Sequence, residues 1–182
     1  MRLFVGVPLP DEQREAVWRL IGSWQQSIKG IKYVERENLH ITLKFMGEVP
    51  ETRIPDIVGT LESVKTGLFR VHLSGVGAFP SVERPRVVWV GVKEGFNELV
   101  SVSKMIDDVL VAHGVPREMK PFHPHVTIGR VKRFSPEIVR KIREDASLDF
   151  GSFTFERFVL YSSTLTPSGP IYKEVESFEV EK

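Results

Sequence analysis

Apolar and polar positions change period several times along this 182-residue chain, and the changes mark its elements. Leu3 to Val7 and Val87 to Val92 are short apolar runs with the pattern of buried strands. After the first, Val17, Leu20, Ile21, Trp24 and Ile28 recur at helical spacing and predict a helix over 11–29. Asp11 after Pro10 is its expected cap and Gly30 its stop. After the second, Leu99, Val100, Ile106, Val109 and Leu110 predict a helix over 96–113, ended by Gly114. Each helix is followed by a β-branched alternating run and then by a shorter helical pattern. One of these carries Ile54, Ile57, Val58 and Leu61. The other carries Ile138, Val139 and Ile142 behind the cap and first-turn pair Ser135-Pro136. The runs 69–79, 153–163 and 172–180 read as strands. Gly75-Val76-Gly77 and the stretch 80–85 read as the turn region between two halves.

The order β-α-β-α-β therefore occurs twice, at an offset of 85 residues that also relates Val5-Gly6-Val7 to Val90-Gly91-Val92. This predicts an α+β fold in a single bilobal domain spanning 1–182, with a pseudo-two-fold axis between the lobes. Each lobe is expected to be a β-sheet with helices on its outer face.

The same offset relates the two alternating runs, His40-Ile41-Thr42-Leu43 and His125-Val126-Thr127-Ile128. On a strand, alternate side chains share a face, so each His points with its Thr while the aliphatic residues point oppositely. About 0.2 His-x-Thr patterns are expected by chance in a chain of this composition, and two arise by chance roughly 2% of the time. The paired His-x-Thr strands are expected to line a central cleft with a general acid and a general base. By the same alternation Lys44 faces the cleft with His40 and Thr42, whereas Phe45 faces the core with Ile41 and Leu43. Arg130 shares the parity of Val126 and Ile128, and reaches the cleft only through a bulge or a strand end. Arg117, Lys120, Lys132 and Arg133 form a basic cluster around the second run, which could track a phosphate backbone. Tyr33, Phe45 and Phe122 are candidate stacking platforms for a base. His72, His113 and His123 carry no partner pattern.

Composition narrows the chemistry further. Twenty-five basic and 24 acidic residues leave a net charge of +1, which argues against bulk coating of nucleic acid but not against a local basic cleft. The absence of Cys excludes disulfides, thiolate nucleophiles and zinc–cysteine sites. Apart from His123-x-His125, no spacing of His and carboxylates suggests a metal site, and neither metal nor cofactor is expected. The N-terminal apolar run is too short for a signal peptide and no run has the length of a membrane span, so a cytoplasmic protein is expected. Two Asn and three Gln beside abundant Lys, Arg and Glu point to a heat-adapted source.

The start Arg2-Leu3-Phe4-Val5-Gly6-Val7 and the blocks Leu39 to Glu48 and Pro124 to Arg130 resemble the RNA 2′,3′-cyclic phosphodiesterase, or 2′-5′ RNA ligase, branch of the two-histidine phosphoesterases. The ending Leu160 to Leu165 followed by Tyr172 resembles it as well. The resemblance implies a metal-free enzyme that opens a terminal RNA 2′,3′-cyclic phosphate to a 2′-phosphate. It also implies reversible 2′-5′ end joining. It assigns His40 as proton donor and His125 as proton acceptor, although the near-symmetric motifs do not themselves order these roles. Thr42 and Thr127 would bind the phosphate, with Arg130 and Lys44 adding positive charge. The expected partners are RNA ends, such as tRNA fragments, met by a monomer. Two other readings stay open: the same chemistry on a small cyclic nucleotide, and an RNA-end binding module without turnover.

Overall fold

The computed structural model describes residues 1–180. Along these residues nine strands and four α-helices follow one another as β1 (Arg2–Pro8), α1 (Asp11–Ser27), β2 (Ile31–Tyr33), β3 (His40–Glu48), α2 (Ile54–Glu62), β4 (Phe69–Pro80), β5 (Pro85–Val92), α3 (Phe96–Val111), β6 (His125–Val131), α4 (Pro136–Glu144), β7 (Asp149–Phe155), β8 (Arg157–Thr166) and β9 (Gly169–Glu179). All their strand pairings are antiparallel, in the order β7-β4-β5-β6-β3-β1-β8-β9, with β2 added to β6. The sheet is thus two four-stranded halves, β6-β5-β4-β7 and β3-β1-β8-β9, joined where β3 meets β6. That joint is a single pair, Ile41 opposite Val126. Beyond it β3 and β6 diverge, and β2 takes up the free edge of β6 from Val131 to Gly129.

The doubled β-α-β-α-β order is present, with the third strands exchanged between halves. β4 follows α2 in the chain but turns back through a tight hairpin onto β5, and β8 returns to pair with β1. The expected strand over 153–163 is two strands, β7 and β8, broken at Glu156 so that each serves a different half. Gly75 to Gly77 lies inside β4 rather than in a turn. The two chain halves meet instead at the hairpin between Pro80 and Pro85.

The helices cover the aliphatic face of the sheet. α1 packs on β7 and α4 on β4, while α3 packs on β3 and against α2. Val17, Ile21 and Trp24 of α1 and Leu99, Ile106 and Leu110 of α3 are buried, as their spacing predicts. Each such side chain contributes on the order of 2 kcal/mol through removal of apolar surface from water. The buried Trp24 indole donates from Nε1 to Asp145 Oδ2 at 2.8 Å, tying α1 to the end of α4. α1 has no side-chain cap; Pro10 occupies the cap position, and Asp11 and Glu12 place negative charge in the first turn. α1 ends at Ser27 with Ile28 as its C-cap, short of the expected Gly30 stop; Gly30 instead enters β2 at φ 84°, where a Cβ would lie 2.4 Å from the Arg133 carbonyl oxygen.

Candidate active site

Both motif strands carry a β-bulge one residue past the threonine, and the bulges decide which side chains reach the cleft. In the β1–β3 ladder Gly6 faces Thr42 and Val5 faces Lys44, so Leu43 is an extra residue. In the β5–β6 ladder Trp89 faces Thr127 and Val88 faces Gly129, so Ile128 is extra. After each bulge the alternation is inverted. Leu43 and Lys44 both turn inward, and Phe45 turns out into the cleft, 52% exposed. Ile128 and Gly129 likewise turn inward and Arg130 emerges into the cleft. Gly129 is where β2 crosses: a Cβ there would lie 2.5 Å from Ile31 Cγ2. Phe45 and Arg130 are related by the same 85-residue offset as the histidines.

Two expectations are corrected by the first bulge. Lys44 does not face the cleft. It is 5% exposed, its Nζ lies 2.6 Å from Asp107 Oδ1 on α3, and it donates to the Pro116 carbonyl at 2.7 Å. Phe45 is a cleft residue rather than a core one. Arg130 takes the bulged route that its parity requires. Of the basic cluster, Arg117 is engaged by Asp107 and Asp108, whereas Lys132 lines the cleft and Lys120 an adjoining cavity.

The two imidazoles are held alike. His40 Nδ1 lies 2.7 Å from the Asn38 carbonyl, and His125 Nδ1 lies 2.7 Å from the His123 carbonyl. A carbonyl can only accept, so Nδ1 is the donor in both rings and Nε2 is left for proton chemistry. His40 Nε2 is 2.8 Å from Thr42 Oγ1. Asn38, itself buried, donates from Nδ2 to the Pro170 carbonyl at 2.9 Å, which fixes the carbonyl that orients His40 to the β8–β9 hairpin. Aromatic rings flank both sites. Phe4 lies 4.9 Å from His40, with Tyr172 edge-on at 5.4 Å, and Phe79 sits edge-on to His125 at 4.9 Å with Trp89 at 6.2 Å.

This setting makes protonation costly in the absence of an anion. Burial pushes the His40 imidazole down to about 4, against the partial support of the Asn38 carbonyl, and repulsion from His125 adds to the fall. Burial also lowers His125, with the His123 carbonyl opposing and the charges of His123 and Arg130 adding to the shift.

The cleft holds about 470 Å³ and is lined by both His-Thr pairs with Arg2, Lys32, Tyr33, Phe45, Arg130, Lys132 and Tyr172. Glu35 is the carboxylate among its walls. The Arg2 guanidinium lies 5.9 Å from the centre of the Phe45 ring. A second cavity of about 590 Å³ shares Thr42, Phe45 and His125 and adds Phe79, Arg86, Lys120, Phe122 and His123. Tyr33 and Phe122, expected as platforms, therefore line different cavities. His72 pairs with Asp149 at 3.0 Å and His113 with Thr60 at 2.6 Å, both away from the cleft. Among the described residues no three His, Asp or Glu side chains converge as metal ligands would. Sequence reasoning passed over Arg2 and Asn38 as site residues. Asn38 carries no periodic signal, whereas Phe4 and Trp89 are themselves 85 residues apart, a trace of the doubled site.

A cleft of two mirrored His-x-Thr strands at the centre of one antiparallel sheet is the architecture of the two-histidine phosphoesterases. The sequence profile of the 2′-5′ RNA ligase superfamily matches residues 10–166, and the chain belongs to that family. It is 44% identical to an RNA 2′,3′-cyclic phosphodiesterase of Archaeoglobus fulgidus over 98% of this chain and 100% of the relative. It is 38% identical to the protein of the same name from Methanocaldococcus jannaschii, over 98% and 100%. Relatives come from many thermophiles, in keeping with the expected heat-adapted composition. A solved structure from Thermus thermophilus superposes with a TM-score of 0.83 at 31% identity, covering 99% of this chain and 98% of that one. Escherichia coli LigT complexed with 3′-AMP shares the fold at 24% identity and a TM-score of 0.80, covering 100% and 98%. No helix among the described residues is long and apolar enough to cross a membrane.

Proposed function

We propose that this protein opens the terminal 2′,3′-cyclic phosphate of RNA to a 2′-phosphate without a metal ion, using His40 and His125 as an acid–base pair. The observation that carries the reading is the pair of imidazoles under a wall of cations, each with Nδ1 tied to a carbonyl and, at His40, Nε2 against the Thr42 hydroxyl in the cleft. The relatives' names supply the substrate class.

In this mechanism His125 Nε2 takes a proton from water as its oxygen attacks phosphorus. The P–O3′ bond breaks and His40 Nε2 gives its proton to the departing 3′-oxygen. The product carries a 2′-phosphate and a 3′-hydroxyl, and solvent exchange restores the two imidazoles. Thr42 and Thr127 donate hydroxyl hydrogen bonds to the non-bridging oxygens, and Arg130 adds positive charge as negative charge grows there. A 5′-hydroxyl in place of water would give a 2′-5′ linkage by the same displacement. The setting is cytoplasmic and the working unit a monomer in this reading.

The lowered imidazoles set the pH dependence. The reactive state needs one imidazole protonated and the other neutral, and burial disfavours the proton in the free protein. The bell of kcat/KM, which reports the free protein, is therefore expected to centre below pH 6.5, the ordinary histidine value from which both groups are lowered. A bound phosphate anion attracts the proton, so the basic limb of kcat is expected at higher pH than that of kcat/KM. The two titrations belong to the pair as macroscopic values. Initial rates from about pH 4 to about pH 9 on an RNA with a cyclic terminus test this, and a kcat/KM optimum above about pH 7 would contradict it.

A further inference from the structure

Three cations without an ion pair, Arg84, Arg86 and Lys132, meet at one edge of the molecule, next to the cleft. Among the described residues these three form no ion pair, unlike Arg140 and Arg143 of the neighbouring α4, and what sets them apart from other unpaired cations such as Arg19 or Arg70 is that they share one cavity. Arg84, Arg86 and Lys132 line a third cavity of about 450 Å³ together with Phe134, which is 55% exposed. The carboxylate in that cavity, Glu83, is already engaged by Arg143 at 3.3 Å. The ladder explains the convergence: Val87 pairs with Arg130, so the start of β5 and the end of β6 lie side by side, and the residues just beyond them meet. Lys132 also lines the catalytic cleft and Arg86 the cavity beside His125, so the third cavity adjoins both.

We propose that this edge binds the single-stranded RNA that leads into the cyclic terminus. Arg84, Arg86 and Lys132 contact its phosphates, and Phe134 stacks on a base. This rests on the function proposed above and extends it from the terminal nucleotide to the strand behind it. In a chain of net charge +1, a cluster of free cations around an exposed ring matches what an unpaired strand presents: a row of phosphates and a set of open base faces. Continuity with the cleft favours RNA over a protein partner.

The test compares a 2′,3′-cyclic mononucleotide with a ten-nucleotide RNA ending in the same cyclic nucleotide, using the full chain and the double variant Arg84→Ala/Phe134→Ala. The wild type is expected to favour the ten-mer. The variant should raise KM for the ten-mer about 5- to 10-fold, with kcat and all mononucleotide constants unchanged. Loss of one phosphate contact should flatten the log–log salt dependence of ten-mer binding by about 0.7. Anisotropy of a labelled ten-mer ending in a 2′-phosphate gives the binding change directly. Equal constants for both substrates, or a variant that binds the ten-mer as the wild type does, would overturn the proposal and leave the edge to some other partner. If neither substrate turns over, the reading of the cleft fails, while the anisotropy measurement still decides the edge.

Discussion

Replacing His40 or His125 with alanine is expected to lower kcat on a cyclic-phosphate RNA about 10³-fold or more while leaving the melting temperature close to that of the wild type. Proton transfer by a positioned imidazole contributes roughly 10²- to 10⁴-fold to a displacement of this kind. Both rings sit on the cleft face of the sheet, and the packing face below them is formed by Ile41, Leu43, Val126 and Ile128, which the substitutions leave intact. The two variants differ in what rescues them. A 3′-bridging sulfur departs as a thiolate and needs no proton, so such a substrate should recover most of the activity lost in His40→Ala. His125→Ala should stay slow, because water still lacks its base. Rescue of His125→Ala instead would exchange the two roles. That comparison matters because burial in the free protein depresses His40 strongly, which by itself favours its neutral form. The donor assignment therefore requires the bound phosphate to draw the proton back to His40.

The second large effect concerns stability rather than turnover. Lys44→Met should destabilise the fold by about 3 kcal/mol, because it strands the 7% exposed Asp107 carboxylate. For a domain of this size that is a fall of roughly 10 °C in melting temperature. Asp107 would keep the Glu118 amide at 3.2 Å and the half-exposed Arg117 at 3.4 Å, too little to replace an ammonium at 2.6 Å. The double variant Lys44→Met/Asp107→Leu removes both charges and should recover most of the loss. Thermal melts decide between this and the cleft-facing Lys44 that regular alternation implies. In the latter case the single substitution would lower activity and leave stability unchanged.

Lys44 also marks where the sequence stops being legible. The apolar stripes of α1 and α3 and the doubled His-x-Thr pattern are local signals, and each appears where its spacing places it. A bulge has no such signal. One extra residue at Leu43 and another at Ile128 invert the facing of the residues directly after them, exchanging Lys44 for Phe45 in the cleft and bringing Arg130 in. For Arg130 the alternation at least exposed the conflict, since the residue reaches the cleft only by a bulge. For Lys44 it gave a consistent and wrong answer. The exchange of β4 and β8 between the halves is equally silent in the pattern, because strand order depends on pairings between distant segments. The three residues of β2 are too few to show a period, yet they form the wall that carries Tyr33 and Lys32 into the cleft.

Incubating the purified protein, in excess chelator, with an RNA that ends in a 2′,3′-cyclic phosphate and identifying the new terminus tests the proposed reaction most directly. A 2′-phosphate is expected as the sole product, formed at the same rate with and without the chelator. A 3′-phosphate, an uncleaved ring, or turnover that the chelator abolishes would contradict a metal-free opening of the ring by His40 and His125.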